Sequence, residues 1–170
     1  MYLETNLSIT RLTTIPENSV IASGFDKINY CDTYRIVKAI DDTAEGIAVE
    51  ILKPQKWVNW LMGIRDSIVR IFGLKTSKEI LDRQVTDFPI IEKRENEIVM
   101  GENDKHLDFR VSVSVDRENS FIYLTTIVHF NNFFGRLYFL PVKPFHKIIV
   151  KSSLKRFIST SLKTSKENNL

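Results

Sequence analysis

The sequence predicts an α+β domain in which an antiparallel strand meander leads into one long C-terminal helix. Three observations carry this. His106 to Val115 alternates without a break, with His106, Asp108, Arg110, Ser112 and Ser114 on one side and Leu107, Phe109, Val111, Val113 and Val115 on the other. Successive strand residues point to opposite faces, so this is a strand with one apolar and one polar face. Around it, Arg94-Glu95-Asn96, Gly101 to Asp104 and Asp116 to Asn119 read as turns between further strand-like segments. From Gly135 onward the spacing changes, and Phe145, Ile149 and Phe157, then Leu154, Ile158 and Leu162, recur at helical intervals.

Taken in order, the chain opens with short β-prone pieces from Leu7 to Thr14, then turn signals at Pro16 and at Ser23-Gly24. Tyr30 to Ile40 is a predicted strand with Tyr30, Tyr34 and Ile36 on one face. Asp41-Asp42-Thr43 predicts a helix start, because a short side-chain oxygen accepts a free first-turn N–H. A short helix to about Leu52 follows. A second runs from Pro54 to Phe72, with Pro54 at a first helical position and Gly73 as the left-handed stop. Trp57, Trp60, Leu61, Ile64, Ile68, Ile71 and Phe72 form its apolar stripe. Residues 75–84 read equally as loop or polar helical turn. The strands 87–95, 97–102, 106–115 and 121–131 come next, and the final helix runs from Gly135 to about Ser161. Pro141 and Pro144 predict a kink or restart within it, since each removes a backbone donor.

Length and composition bound the rest. A chain of 170 residues with 43% apolar side chains and eleven phenylalanines has ample material for one domain with a core. A net charge of +3 is too weak to imply nucleic acid. Lys143, Lys147, Lys151, Lys155, Arg156, Lys163 and Lys166 nevertheless fall together with no acid among them. They read as the solvated side of the helix, or as a face for an anionic membrane or acidic partner. Cys31 is the one cysteine, which excludes an intrachain disulfide and favours a reducing compartment. With no signal peptide and no apolar run of membrane-spanning length, a cytoplasmic protein without a transmembrane segment is expected.

Three segments carry a resemblance. They are Trp57 to Asp66 leading to Phe72-Gly73-Leu74, His106 to Ser112, and Phe134-Gly135-Arg136-Leu137-Tyr138 running to Pro144-Phe145-His146. In this order, over roughly residues 30–157, the chain resembles the family called domain of unknown function 2867. The resemblance implies a START-like, or helix-grip, fold. In that fold a curved antiparallel sheet wraps around a long C-terminal helix, with two shorter helices after the first strand. A single domain over residues 1–170 is expected. No activity comes with the resemblance; helix-grip proteins include lipid carriers, aromatic cyclases and hormone receptors.

Several constellations are candidates for function. With Val115 opposite Ser120, Arg110 falls opposite Thr125, Asp108 opposite Ile127, and His106 opposite His129, about 5 Å apart at Cβ. Histidine moves protons near neutral pH, a carboxylate orients it, and arginine holds an oxyanion. His106, Asp108, Arg110 and His129 are therefore the candidate acid/base set. The competing reading places this polar face in water, because the apolar face opposite it claims the core. Arg136 and Tyr138 could clamp a ligand acid, or Tyr138 packs while Arg136 pairs with an acid such as Asp108. His146 is a further ligand candidate, or a structurally bonded histidine.

No metal-ligand spacing, glycine-rich phosphate loop or nucleophile elbow is present, so no metal or cofactor is expected. The favoured expectation is non-catalytic binding of a small, largely apolar molecule or lipid between sheet and C-terminal helix. The alternatives are an acid/base enzyme and an interaction protein that uses the basic helix. Oligomeric state is left open.

Overall fold

The computed structural model describes residues 8–53 and 89–167. Six strands form one antiparallel sheet in the order β1-β2-β6-β5-β4-β3: β1 Thr10–Leu12, β2 Tyr30–Val37, β3 Ile90–Lys93, β4 Glu97–Asn103, β5 Leu107–Asp116 and β6 Phe121–Phe130. A shorter helix, α1 (Ala44–Leu52), follows β2, and a long one, α2 (Phe133–Glu167), ends the chain. This is a helix-grip-like α+β fold. The expected helix from Pro54 to Phe72 lies outside the described residues.

The chain divides into two compact units, Met1–Ala48 with Ile90–Glu102 and Phe109–His129, and Val49–Pro89 with Asn103–Asp108 and Phe130–Leu170. In the first unit β2 pairs with β6 so that Tyr30 opposes Val128, Asp32 opposes Thr126, Tyr34 opposes Leu124 and Ile36 opposes Ile122. Alternation puts these eight side chains on one face. All of them are buried.

The opposite face is covered as well, which differs from the expectation that it meets water. Ile21, Val99 and Ile127 are fully buried together, with Ile15, Val20, Ala22, Phe25, Ile28 and Cys31 packed around them. Residues 15–28 thus bring their own apolar side chains onto the polar side of the strands. Burial raises the Cys31 thiol above its ordinary range, in keeping with a small packed side chain.

Local chemistry sets the element ends. Thr43 caps α1, its Oγ1 accepting the Gly46 N–H at 3.1 Å, while Asp42 Oδ1 accepts the Thr43 N–H at 2.6 Å. The β5–β6 turn is held by Asp116, which accepts the Asn119 backbone N–H at 3.0 Å and its amide at 2.8 Å. Ser120 sits at φ 55°, a left-handed conformation that takes it out of β6. The strand pairing therefore differs from the expected one by two residues, and Asn131 donates its backbone N–H to the His106 carbonyl at 2.9 Å. A shift of two leaves every side chain on its expected face.

In the second unit α2 runs as one helix through Pro141 and Pro144 rather than restarting. The prolines withhold donors from the Leu137 and Leu140 carbonyls, and both leucines lie on the exposed side, where water can serve instead. Arg156 of α2 donates to the carbonyls of Glu50 at 2.9 Å, Ile51 at 3.2 Å and Lys53 at 2.8 Å. A guanidinium there satisfies the last carbonyls of α1 and suits the negative end of its dipole.

Candidate functional site

The sequence-derived candidates occupy separate environments. The His106 Nδ1 donates to Asn132 Oδ1 at 3.1 Å, since an amide oxygen only accepts. The same oxygen caps α2 by accepting the Gly135 N–H at 3.2 Å. The His106 ring stands edge-on to Phe134, with centroids 5.9 Å apart. Asp108 Oδ1 accepts the Asp104 backbone N–H at 3.0 Å and the Asn131 amide at 3.1 Å. His106, Asp108, Asn131 and Asn132 together hold the turn before β5 and the start of α2. A Cβ on Gly135 would collide with the His106 carbonyl oxygen, so this approach requires glycine.

In the first unit, His129 Nδ1 donates to the Lys27 carbonyl at 2.7 Å and its ring meets Phe25 edge-on at 6.3 Å. Arg110 lies with its guanidinium 4.5 Å over the Phe25 ring and donates to the Ser23 and Ile21 carbonyls. Beside it, the buried Glu97 carboxylate accepts from Ser19 Oγ at 2.5 Å, from Val20 N–H at 2.8 Å and from Ser112 Oγ. Arg110 and Glu97 together fasten residues 19–25 across the strands. Each carbonyl and amide they use would otherwise be a polar group with reduced access to water.

Of the α2 candidates, Arg136 is exposed, Tyr138 is buried and His146 is half-buried. Among the described residues there is no group of three or more His, Cys, Asp and Glu side chains that could hold a metal.

A different cluster stands out, and sequence reasoning missed it. On the face that carries Ile36, Ile122, Leu124 and Val128 lies a buried carboxylate, Asp32. Its Oδ1 accepts from Arg11 Nε at 2.5 Å and its Oδ2 from the Tyr30 hydroxyl at 3.0 Å. Arg11 reaches it from β1, where it opposes Tyr34. The pairing raises the Arg11 guanidinium, first through the hydrogen bond and then through the Asp32 charge. Burial and then the nearby Asp32 push the Tyr34 phenol up to about 12, and the same two causes raise Tyr30 further. Both phenols therefore keep their protons at neutral pH. The Tyr34 hydroxyl, in a side chain only 1% exposed, lies beside Asp32 and Arg11 without completing a well-formed hydrogen bond to either.

The signal for this cluster was present in Tyr30-Cys31-Asp32-Thr33-Tyr34, where the alternation places an aspartate between two tyrosines on the core-facing side. Only the position of Arg11, set by a three-residue edge strand, is unreadable from spacing.

A family model described as protein of unknown function (DUF2867) matches residues 25–153. No curated protein and no solved structure matches the chain.

Proposed function

The chain belongs to the DUF2867 family of proteins of unknown function, and we propose that it binds a small, largely apolar molecule at the sheet face around Tyr34 without catalysing a reaction. The single observation that carries this reading is the Tyr34 hydroxyl, sealed from water and without a well-formed hydrogen bond, its polar neighbours Asp32 and Arg11 being already engaged with each other. A buried unsatisfied hydroxyl costs about 1–3 kcal/mol, which a ligand acceptor at hydrogen-bond distance would recover. Apart from Tyr34 itself, Asp32, Tyr30 and Thr126 the face is aliphatic, and a largely apolar surface with a few placed polar groups is what a small-molecule site offers.

The polar group of the ligand is an uncharged acceptor, such as a carbonyl or hydroxyl oxygen. Arg11 and Asp32 already balance each other's charge. A carboxylate or ammonium added beside them would be buried without a counter-ion, which is costly. Tyr34 remains a neutral donor, as its raised pKa requires. The acid/base reading has less support, because the ring nitrogens Nδ1 of His106 and His129 are both spent on structural acceptors.

Native mass spectrometry of protein purified from cells tests the proposal. The wild type is expected to carry a copurifying neutral, apolar molecule, and Tyr34→Phe to carry much less of it at unchanged fold. Equal loading of the two proteins, or a bound species that is anionic, would count against it.

A further inference from the structure

The outward side of α2 holds a surface that none of the preceding contacts uses. Phe133 is 70% exposed, Leu140 67% and Ile148 54%, and Leu137 and Pro144 are also exposed. Their spacing of four, three, four and four residues aligns them along one side of the helix over its first four turns. Elsewhere the helix buries Tyr138 and Phe139 away from this stripe, and Val150, Leu154, Phe157 and Ile158 nearer its C-terminal end. Apolar side chains thus lie on both sides of α2, which cancels the simple amphipathic pattern that sequence inspection seeks.

Cations accompany the outer stripe. Arg136, Lys151 and Lys155 are exposed, Lys147 is half-buried, and no Asp or Glu occurs between Phe133 and Lys166. Lys147, Lys151 and Lys155 continue the line of Leu140 and Ile148 toward the C-terminal end. We propose that this side of α2 docks on an anionic lipid surface, with Phe133, Leu137, Leu140 and Ile148 entering the headgroup boundary and the lysines meeting lipid phosphates and carboxylates.

Charge decides between occupants. A second copy packed symmetrically on the same face would offer the lysines no acidic partner, since a two-fold interface pairs the patch with itself and the patch holds no Asp or Glu. An anionic bilayer offers negative charge above and hydrocarbon below, matching a basic helix with large exposed apolar side chains. The stripe is separate from the Tyr34 cluster, and the two readings stand or fall independently.

Cosedimentation of the full chain with vesicles tests this, using phosphatidylcholine alone and phosphatidylcholine mixed with phosphatidylserine, at low and high salt. Binding is expected only to the phosphatidylserine vesicles and is expected to weaken with salt. Lys147→Glu and Lys151→Glu should each reduce it by about five-fold or more, the loss of one surface cation or greater. The double variant Leu140→Ser/Ile148→Ser should reduce it at least ten-fold while melting at the wild-type temperature. Absence of binding, equal binding to both vesicle types, or variants that bind like wild type would overturn the proposal. So would a wild-type dimer that the Leu140→Ser/Ile148→Ser variant converts to monomer, because the stripe would then be a self-association face.

Discussion

Arg11 and Asp32 tie the edge of the sheet together, Nε to Oδ1 at 2.5 Å, with the carboxylate wholly buried and the arginine side chain 41% exposed. Their strands are adjacent and antiparallel, so a polar pair takes a position that an apolar contact would otherwise fill. Removing the carboxylate leaves Arg11 Nε and the Tyr30 hydroxyl without their acceptor. Breaking a fully buried pair costs roughly 3–5 kcal/mol, and the exposure of Arg11 to solvent lowers that. Asp32→Ala is therefore expected to lose about 2–3 kcal/mol in urea denaturation; a change under about 0.5 kcal/mol would be that of an ordinary surface site.

The raised phenols give an alkaline signature. Tyrosines in the unfolded chain ionise near pH 10, whereas Tyr34 holds its proton to about 12 and Tyr30 is also raised. The unfolded state thus gives up protons first. Stability is full below pH 10 and falls as pH rises from there through the folded-state values. Near-ultraviolet absorbance titration should show two late tyrosines, and Tyr34→Phe should flatten part of the stability loss. A single transition near pH 10 for all tyrosines would contradict the burial of this pair.

Glu97 gives a prediction about the N-terminal segment. Glu97→Ala strands three donors, on Ser19, Val20 and Ser112. At about 1–3 kcal/mol for a fully orphaned group, and less where residues 19–25 can lift into water, the loss should be about 2–4 kcal/mol. Hydrogen exchange should rise first at Val20 and Ile21. Uniform acceleration over all strands, with no lead at those amides, would show that Glu97 does not fasten this segment.

Strands and faces were largely legible because alternation and turn residues are local. The predicted faces of Tyr30, Tyr34 and Ile36 match the register of β2 against β6. What escaped depended on non-local partners. Ser120 looks like strand sequence, and its left-handed φ emerges only when Asp116 and Asn119 close the turn. The polar side of β5 looked solvent-facing because nothing in His106-to-Val115 announces that Ile21 and Phe25, far away in sequence, will cover it. Asp32 escaped because a lone aspartate in an apolar strand gains meaning only with Arg11 beside it.

Gly135 was legible as part of a motif but not as a contact. Gly135→Ala puts a methyl group into the His106 carbonyl and against the Leu107 side chain. Overpacking of this kind costs about 1–3 kcal/mol, and here it also displaces the Asn132 cap. Thermal denaturation should show the loss, and a variant as stable as wild type would mean that the helix start shifts freely.

The most direct test of ligand binding at Tyr34 is isothermal titration of the wild type and Tyr34→Phe with three molecules of one chain length, a ketone, an alcohol and a carboxylate. The ketone and alcohol should bind the wild type, the carboxylate weakly or not at all, and Tyr34→Phe should lose about ten-fold toward the first two, the worth of one buried hydrogen bond. Tightest binding of the carboxylate, or equal affinities of the two proteins for the ketone, would contradict the assignment of Tyr34 as the anchor.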